Sequence, residues 1–69
     1  MPYASNMDLP PSVRDHLPTH AQDIFRAAFN AAYAEYAGER QEEAAFRVAW
    51  AAVKKQYHKI GDVWVPKDE

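Results

Sequence analysis

A chain of 69 residues has room for one domain, residues 1–69, and a single modest core must carry its fold. With 48% apolar residues the sequence is too apolar for a disordered chain, and the lack of cysteine excludes disulfides and thiolate metal sites. The net charge of −2 excludes a globally basic protein that binds nucleic acid through its overall charge.

Charge is distributed unevenly along the chain. Residues 1–38 and residues 60–69 each carry a net charge of −2, whereas residues 39–59 carry +2. The first residues lack both the basic and the apolar region of a signal peptide, and charges interrupt every apolar stretch before the ~20 residues of a membrane span. We therefore expect a complete cytoplasmic chain that does not insert into a membrane.

The first predicted helix is short and lies between prolines within residues 9–18, after a mixed opening segment. Pro10 and Pro11 suit the first turn of a helix because their missing N–H groups need no partner there. Pro18 ends the helix, since a proline disfavours helical conformation in the residue before it.

The second predicted helix begins at Thr19 and ends at Gly38, which we expect at the C′ position. Thr19 and Gln22 have the spacing of a capping box. Apolar residues recur at intervals of three and four and form one arc of an amphipathic helix: Ala21, Ile24, Phe25, Ala28, Phe29, Ala32 and Tyr36.

The third predicted helix spans Glu39 to His58. Acidic residues occupy its first turns and basic residues its last, which matches the helix dipole. Its apolar arc consists of Ala45, Phe46, Ala49, Trp50, Ala52, Val53 and Tyr57. Because the connection is short, helices two and three should form an antiparallel hairpin with an aromatic core of Phe25, Phe29, Phe46, Trp50 and Tyr57.

The C-terminal residues change from helical to extended character. β-Branched and aromatic residues flank Gly61-Asp62, which is the pattern of a two-residue β-hairpin. A lone hairpin is marginal in water, so the segment Pro2–Ala4 is predicted as a third strand. The predicted fold class is therefore α+β, mainly α, with about three helices and a small terminal sheet.

Metal and catalytic sites find little support in the sequence. His16 and His20 have a metal-ligand spacing, but Pro18 breaks the helix between them, and we expect His20 to make a local hydrogen bond. Three glutamates near the start of the third helix splay apart instead of surrounding a calcium ion, and the helix dipole accounts for them. Without a recognisable nucleophile–base pair or a glycine-rich phosphate loop, we predict no enzyme activity, cofactor or small-molecule substrate.

The third helix presents a basic stripe opposite its apolar arc. It extends over about 27 Å at 1.5 Å per residue, with Glu43 as a predicted partner of Arg47. Two interpretations remain open: a surface that binds an acidic protein or a phosphate backbone, and a solvated face. Trp64 either packs over the helix ends or lies exposed to a partner. The candidate binding residues are Arg40, Arg47, Lys54, Lys55, His58, Lys59 and Trp64.

Several motifs occur in a recognisable order along nearly the whole chain. They are Leu9-Pro10, Leu17-Pro18-x-His20-Ala21-Gln22-Asp23-Ile24, Ala28-Phe29-Asn30-x-Ala32 and Val48-Ala49-Trp50-Ala51-Ala52-Val53-Lys54. Together with Met1-Pro2-Tyr3 and the closing tryptophan, they resemble the ChaB family of small bacterial and viral proteins.

The resemblance implies a fold of about three helices with a small sheet. It also implies a regulator that acts on a calcium or sodium/proton antiporter through protein contact, with no catalytic residues. Related domains occur beside nucleic-acid-binding segments, so nucleic-acid binding through the basic stripe is the alternative function. The connection between helices two and three lacks a long run of acids, which argues against direct sensing of divalent cations.

Overall fold

The computed structural model describes residues 3–36, 38–61 and 63–67, which form helices and one two-stranded sheet. The predicted α+β class is confirmed. A short 3-10 helix near the start was not predicted. In chain order the elements are this 3-10 helix (Asn6–Asp8), α1 (Pro11–Arg14), α2 (Thr19–Glu35), α3 (Gln41–Gln56), β1 (Tyr57–Ile60) and β2 (Val63–Pro66).

Helices α2 and α3 pack together along their apolar arcs. Phe25 meets the ring of Trp50 edge-on with centroids 5.0 Å apart, and Phe29, one turn later, meets Phe46, one turn earlier in α3, at 4.9 Å. Contacts advance along α2 as they retreat along α3, so the predicted antiparallel hairpin is confirmed. The buried cluster comprises Leu9, Val13, Leu17, Ala21, Phe25, Phe29, Ala32, Ala45, Ala49, Val53, Tyr57 and Trp64.

Helix α2 ends at Glu35, earlier than the sequence predicts. Tyr36 is extended (φ −95°, ψ 158°) and 47% exposed, which corrects its predicted place in the apolar arc. The side-chain amide of Gln41 donates hydrogen bonds to the carbonyl oxygens of Tyr33 at 2.6 Å and Tyr36 at 3.0 Å, so α2 can end without a glycine cap. Gly38 lies beyond the C′ position, with a φ of +98°.

The start of α2 also differs from the predicted capping box. Pro18 occupies the N-cap position, and its carbonyl oxygen accepts the first helical hydrogen bond, from the Gln22 N–H, at 2.9 Å. Thr19 therefore lies inside the helix, where its side chain makes no cap. The Gln22 amide instead donates to the carbonyl oxygens of Leu17 at 2.8 Å and Arg14 at 3.2 Å, which ties α1 to α2.

Helix α3 is shorter than predicted at both ends. Glu39 precedes it, and Tyr57 turns to an extended conformation (φ −130°, ψ 157°) that begins β1. His58 consequently lies in a strand and not in the last helical turn. The acidic first turn and the basic last turn agree with the prediction: Glu42 and Glu43, then Lys54 and Lys55.

The predicted hairpin is confirmed, with Ile60 paired to Val63 across a two-residue loop. Gly61 has a φ of +63°, in the left-handed region that favours glycine. Asp62, the second residue of the predicted turn, lies outside the described residues. At the other end of the hairpin Tyr57 pairs with Pro66, which places the sheet directly against the end of α3.

The prediction of a third strand is wrong for Tyr3 and Ala4, and Pro2 lies outside the described residues. The Tyr3 N–H donates to Asn30 Oδ1 at 2.8 Å, and Asn30 Nδ2 donates to the Tyr3 carbonyl oxygen at 2.8 Å. Arg26 Nη1 donates to the Ala4 carbonyl oxygen at 2.9 Å. Side chains of α2 thus satisfy the backbone groups that a neighbouring strand would have taken.

We expect Asn30→Ala to detach the N-terminal segment. The substitution leaves two part-buried backbone groups of Tyr3 without partners, at a cost of about 1–3 kcal/mol in unfolding free energy. Amide hydrogen exchange at Tyr3 and urea denaturation measure the two effects. Ala31→Gln, at an exposed neighbouring position, should change stability by less than about 0.5 kcal/mol. Unchanged exchange at Tyr3 in Asn30→Ala would contradict the contact.

The pKa of the Tyr3 phenol is raised from its ordinary value of 10.0, first by burial and second by repulsion from the Glu42 carboxylate. The unfolded chain therefore loses this proton first, and stability that is present below pH 10.0 is lost as pH rises through the folded-state pKa. Tyr3→Phe keeps the ring beside Phe29, so its free energy of unfolding should fall less steeply above pH 10.0 than that of the wild type. Urea denaturation at several alkaline pH values gives the free energy of unfolding of both proteins. If it falls with pH equally steeply in Tyr3→Phe and in the wild type, this account is wrong.

Candidate partner-binding site

The helical part of the predicted basic stripe lies on one exposed side of α3. Arg40 occupies the N-cap position, and Arg47 and Lys54 follow at seven-residue intervals, close to two helical turns each. Lys55 follows Lys54 in the last turn and is also exposed. The opposite side of the helix is buried against α2, so these cations project from a fixed support.

The predicted pairing of Glu43 with Arg47 is wrong. Glu43 Oε1 lies 3.9 Å from Arg40 Nε, and because both side chains are largely exposed this pair stabilises little. Within residues 3–36, 38–61 and 63–67, the other ion pair joins Arg26 to Asp23 on α2. Arg47 therefore has no carboxylate partner among the described residues and keeps its full charge.

His58 and Lys59 do not extend the helical stripe, because the chain leaves the helix before them. His58 pairs with Val65 and Lys59 with Trp64 across the hairpin. Successive residues of a strand point to opposite faces, so these two exposed side chains diverge. The continuous stripe predicted from the helical wheel is thus a helical group of cations followed by two cations on different faces of the hairpin.

Trp64 is buried against Trp50 of α3, which rules out the predicted exposed placement. Its ring centroid lies 5.7 Å from that of Trp50 at an interplanar angle of 31°, and the residue is only 9% exposed. The hypothesis of an exposed Trp64 ring at a partner contact is therefore corrected. The exposed apolar residues of the hairpin are Ile60 and Val63, at its turn.

A cleft of about 320 Å³ opens where the hairpin meets both long helices. Its lining adds a cation that sequence reasoning missed, Lys67, to the predicted Lys55. The Lys67 N–H donates to the Gln56 carbonyl oxygen at 2.9 Å, which continues the hairpin pairing and places Lys67 beside the end of α3. The lining residues are His20, Lys55, Gln56, Tyr57, Pro66 and Lys67.

The two N-terminal histidines take separate structural roles. His16 Nδ1 lies 2.7 Å from the Ser12 carbonyl oxygen, within the first helical segment. His20 Nδ1 lies 3.0 Å from the Tyr57 hydroxyl, a long-range contact that replaces the predicted local one. In the part of the chain that the structure describes, no three His, Cys, Asp or Glu side chains are grouped to hold a metal ion.

The match to known proteins extends over most of this structure. The model of the ChaB family matches residues 9–67. The chain belongs to the ChaB family. A solved ChaB-family relative, titled "NMR solution structure of the putative cation transport regulator ChaB", is 47% identical, with a TM-score of 0.85 over 96% of this chain and 99% of that chain.

Relatives in the ChaB family carry a name that bears on function. "Putative cation transport regulator ChaB" of Escherichia coli (strain K12) is 48% identical over 69 residues, covering 90% of this chain and 91% of the relative. The protein of that name from Shigella flexneri matches with the same identity and coverage. These names assign the relatives a regulatory role in cation transport. Among the described residues, no helix is long and apolar enough to cross a membrane.

Proposed function

We propose that this ChaB-family chain is a cytoplasmic, non-catalytic regulator that binds an acidic surface of a calcium or sodium/proton antiporter. The exposed cations of α3 carry the proposal, because Arg47, Lys54 and Lys55 have no carboxylate partner in the described structure. Their charge is available to a partner without first breaking an ion pair.

The cations extend from a backbone that the core holds in place. Ala49 and Val53 lie on the opposite side of α3 and are fully buried, so the Cα atoms of the cationic residues keep their spacing. Fixed charges on a helix lose less freedom on binding than charges on a mobile segment. The names of the relatives refer to the regulation of cation transport, which supports a cation transporter as the kind of partner.

Co-purification with candidate antiporters from native membranes tests the proposal. Lys54→Glu combined with Glu35→Lys keeps the net charge of the chain and moves the cation to the exposed end of α2. We expect recovery of the antiporter to fall about fivefold or more, because complementary charge is replaced by repulsion at the contact. Glu35→Lys alone is the matched control and should retain recovery.

Parallel nuclease-treated and mock-treated samples test whether nucleic acid mediates the contact. Equal antiporter recovery with the wild type and the double variant would refute the proposed surface. Recovery that disappears on nuclease treatment would show that nucleic acid mediates the contact and would refute the proposed function. Circular dichroism of each variant excludes unfolding as the cause, since a glutamate in the last turn of α3 opposes the helix dipole.

A further inference from the structure

The cleft at the base of the hairpin is lined by cationic residues and by one aromatic residue. Lys55 comes from the last turn of α3 and Lys67 from the residue after β2, and both are exposed. The hydrogen bond from the Lys67 N–H to the Gln56 carbonyl oxygen, at 2.9 Å, holds the two lysine-bearing segments together. Two lysine residues thus line one cleft, on segments that a backbone hydrogen bond joins.

No carboxylate lines the cleft among the described residues. The ion pairs in residues 3–36, 38–61 and 63–67 involve neither Lys55 nor Lys67. An anionic ligand group in the cleft would meet two cationic residues and no carboxylate among the described lining residues, so the electrostatic interaction would be favourable. The cleft is therefore electrostatically suited to a carboxylate.

Tyr57, which is buried, and Pro66 also line the cleft. The Tyr57 hydroxyl lies 3.0 Å from His20 Nδ1, and this contact joins α2 to β1. Within the described structure the second imidazole nitrogen of His20 makes no hydrogen bond to the protein. The cleft thus offers an apolar surface for a short aliphatic stem and polar groups around it.

The size and shape of the cleft indicate the class of ligand. Its volume of about 320 Å³ is larger than a lone carboxylate and falls at the small end of ligand sites. The exposed rim would bury little of a free small molecule, whereas a longer peptide segment can make further contacts outside the cleft. An extended acidic segment of a protein fits both the charge and the open rim.

We propose that the cleft binds a glutamate or aspartate side chain from an extended acidic segment of the partner protein. The proposal rests on the proposed function and specifies where the partner's carboxylate is held. Lys55 and Lys67 bind the carboxylate, and Tyr57 and Pro66 contact the stem of the acidic side chain.

An NMR titration of the full chain with acetyl-tetraglutamyl amide at low ionic strength tests this site. The largest amide shifts should occur at His20, Gln56, Tyr57 and Lys67, and the tetraglutamine analogue should cause none. Lys55→Gln with Lys67→Gln should raise the Kd about fivefold or more, because two charged contacts are lost. Arg14→Gln with Lys59→Gln removes equal charge outside both the cleft lining and the exposed cations of α3, and should raise it less than about twofold.

The other outcomes overturn the proposal. Equal weakening by the two double variants would show a diffuse charge effect, and equal shifts with inorganic phosphate would show a general anion site. Asp68 and Glu69 follow Lys67 in sequence and lie outside the described residues, so the titration is repeated with Asp68→Asn and Glu69→Gln. If the acidic peptide shifts no amides of the cleft residues in either the wild type or this variant, the cleft proposal fails. The proposed function then still stands if Lys54→Glu with Glu35→Lys abolishes antiporter recovery.

Discussion

Replacing Phe29 by alanine is expected to unfold the domain or bring it to the edge of unfolding. The Phe29 side chain is fully buried at the centre of the aromatic cluster. Its ring lies 4.9 Å from Phe46 of α3 and 4.8 Å from Tyr3 of the N-terminal segment, measured between centroids. The substitution therefore removes contacts that join three parts of the chain at once.

The expected size of the loss is comparable to the whole stability of so small a domain. Removing a buried phenylalanine costs about 3–5 kcal/mol. A single core of this size rarely supplies more than about 3–5 kcal/mol without a disulfide or metal. Circular dichroism of Phe29→Ala at room temperature should show a large loss of helical signal. Its urea denaturation curve should begin to fall at the lowest urea concentration, with no plateau for the folded state.

Tyr36→Ala is the matched control for Phe29→Ala. Both aromatic residues fall in the apolar arc that the sequence predicts, but Tyr36 follows the end of α2 and is half exposed. Its removal should change the unfolding free energy by less than about 1 kcal/mol. Comparable losses in the two variants would show that the Tyr36 side chain is buried, against the structure.

Trp64→Ala is expected to produce the second-largest effect, by releasing the hairpin from the helices. Trp64 is the buried residue of β2 and packs on Trp50 of α3. Its removal should cost about 3 kcal/mol, the low end for a buried aromatic residue because Trp64 keeps some exposure, and a two-stranded sheet cannot offset this loss. The surviving indole of Trp50 should become more exposed, and its fluorescence emission should move to longer wavelength.

Ile60→Ala provides the comparison for Trp64→Ala within the same hairpin. Ile60 lies in β1 beside the turn and is mostly exposed, so its loss should cost less than about 1 kcal/mol. Thermal unfolding followed by circular dichroism gives both values. A Trp64→Ala variant as stable as Ile60→Ala would contradict the buried position and restore Trp64 as a candidate partner contact.

Local patterns were sufficient to predict the elements of this fold. The three- and four-residue spacing of apolar residues identified α2 and α3, and the flanks of Gly61 identified the hairpin. Element ends were less predictable because side chains from elsewhere decide them. Gln41 satisfies the end of α2 from the next helix, and Asn30 takes the backbone groups of Tyr3 that a strand would need. Neither contact has a local signature.

The candidate site was predictable only in part, for a related reason. Arg47, Lys54 and Lys55 share a helix, so their periodicity placed them on its exposed side. Lys67 lies in a segment with net negative charge, and only the hairpin register brings it to the end of α3. The long-range contact between His20 and Tyr57 likewise depends on the antiparallel packing of the helices.

Transport by native membrane vesicles, with and without the added protein, tests the proposed regulation most directly. We predict that the wild-type chain changes the initial rate of calcium or sodium exchange for protons. The variant Lys54→Glu with Lys55→Glu should lose most of this effect, because the charges of two exposed α3 cations are reversed. Circular dichroism of the variant must first show that it is folded. No effect of the wild type on either exchange, or an equal effect of the variant, would contradict the account.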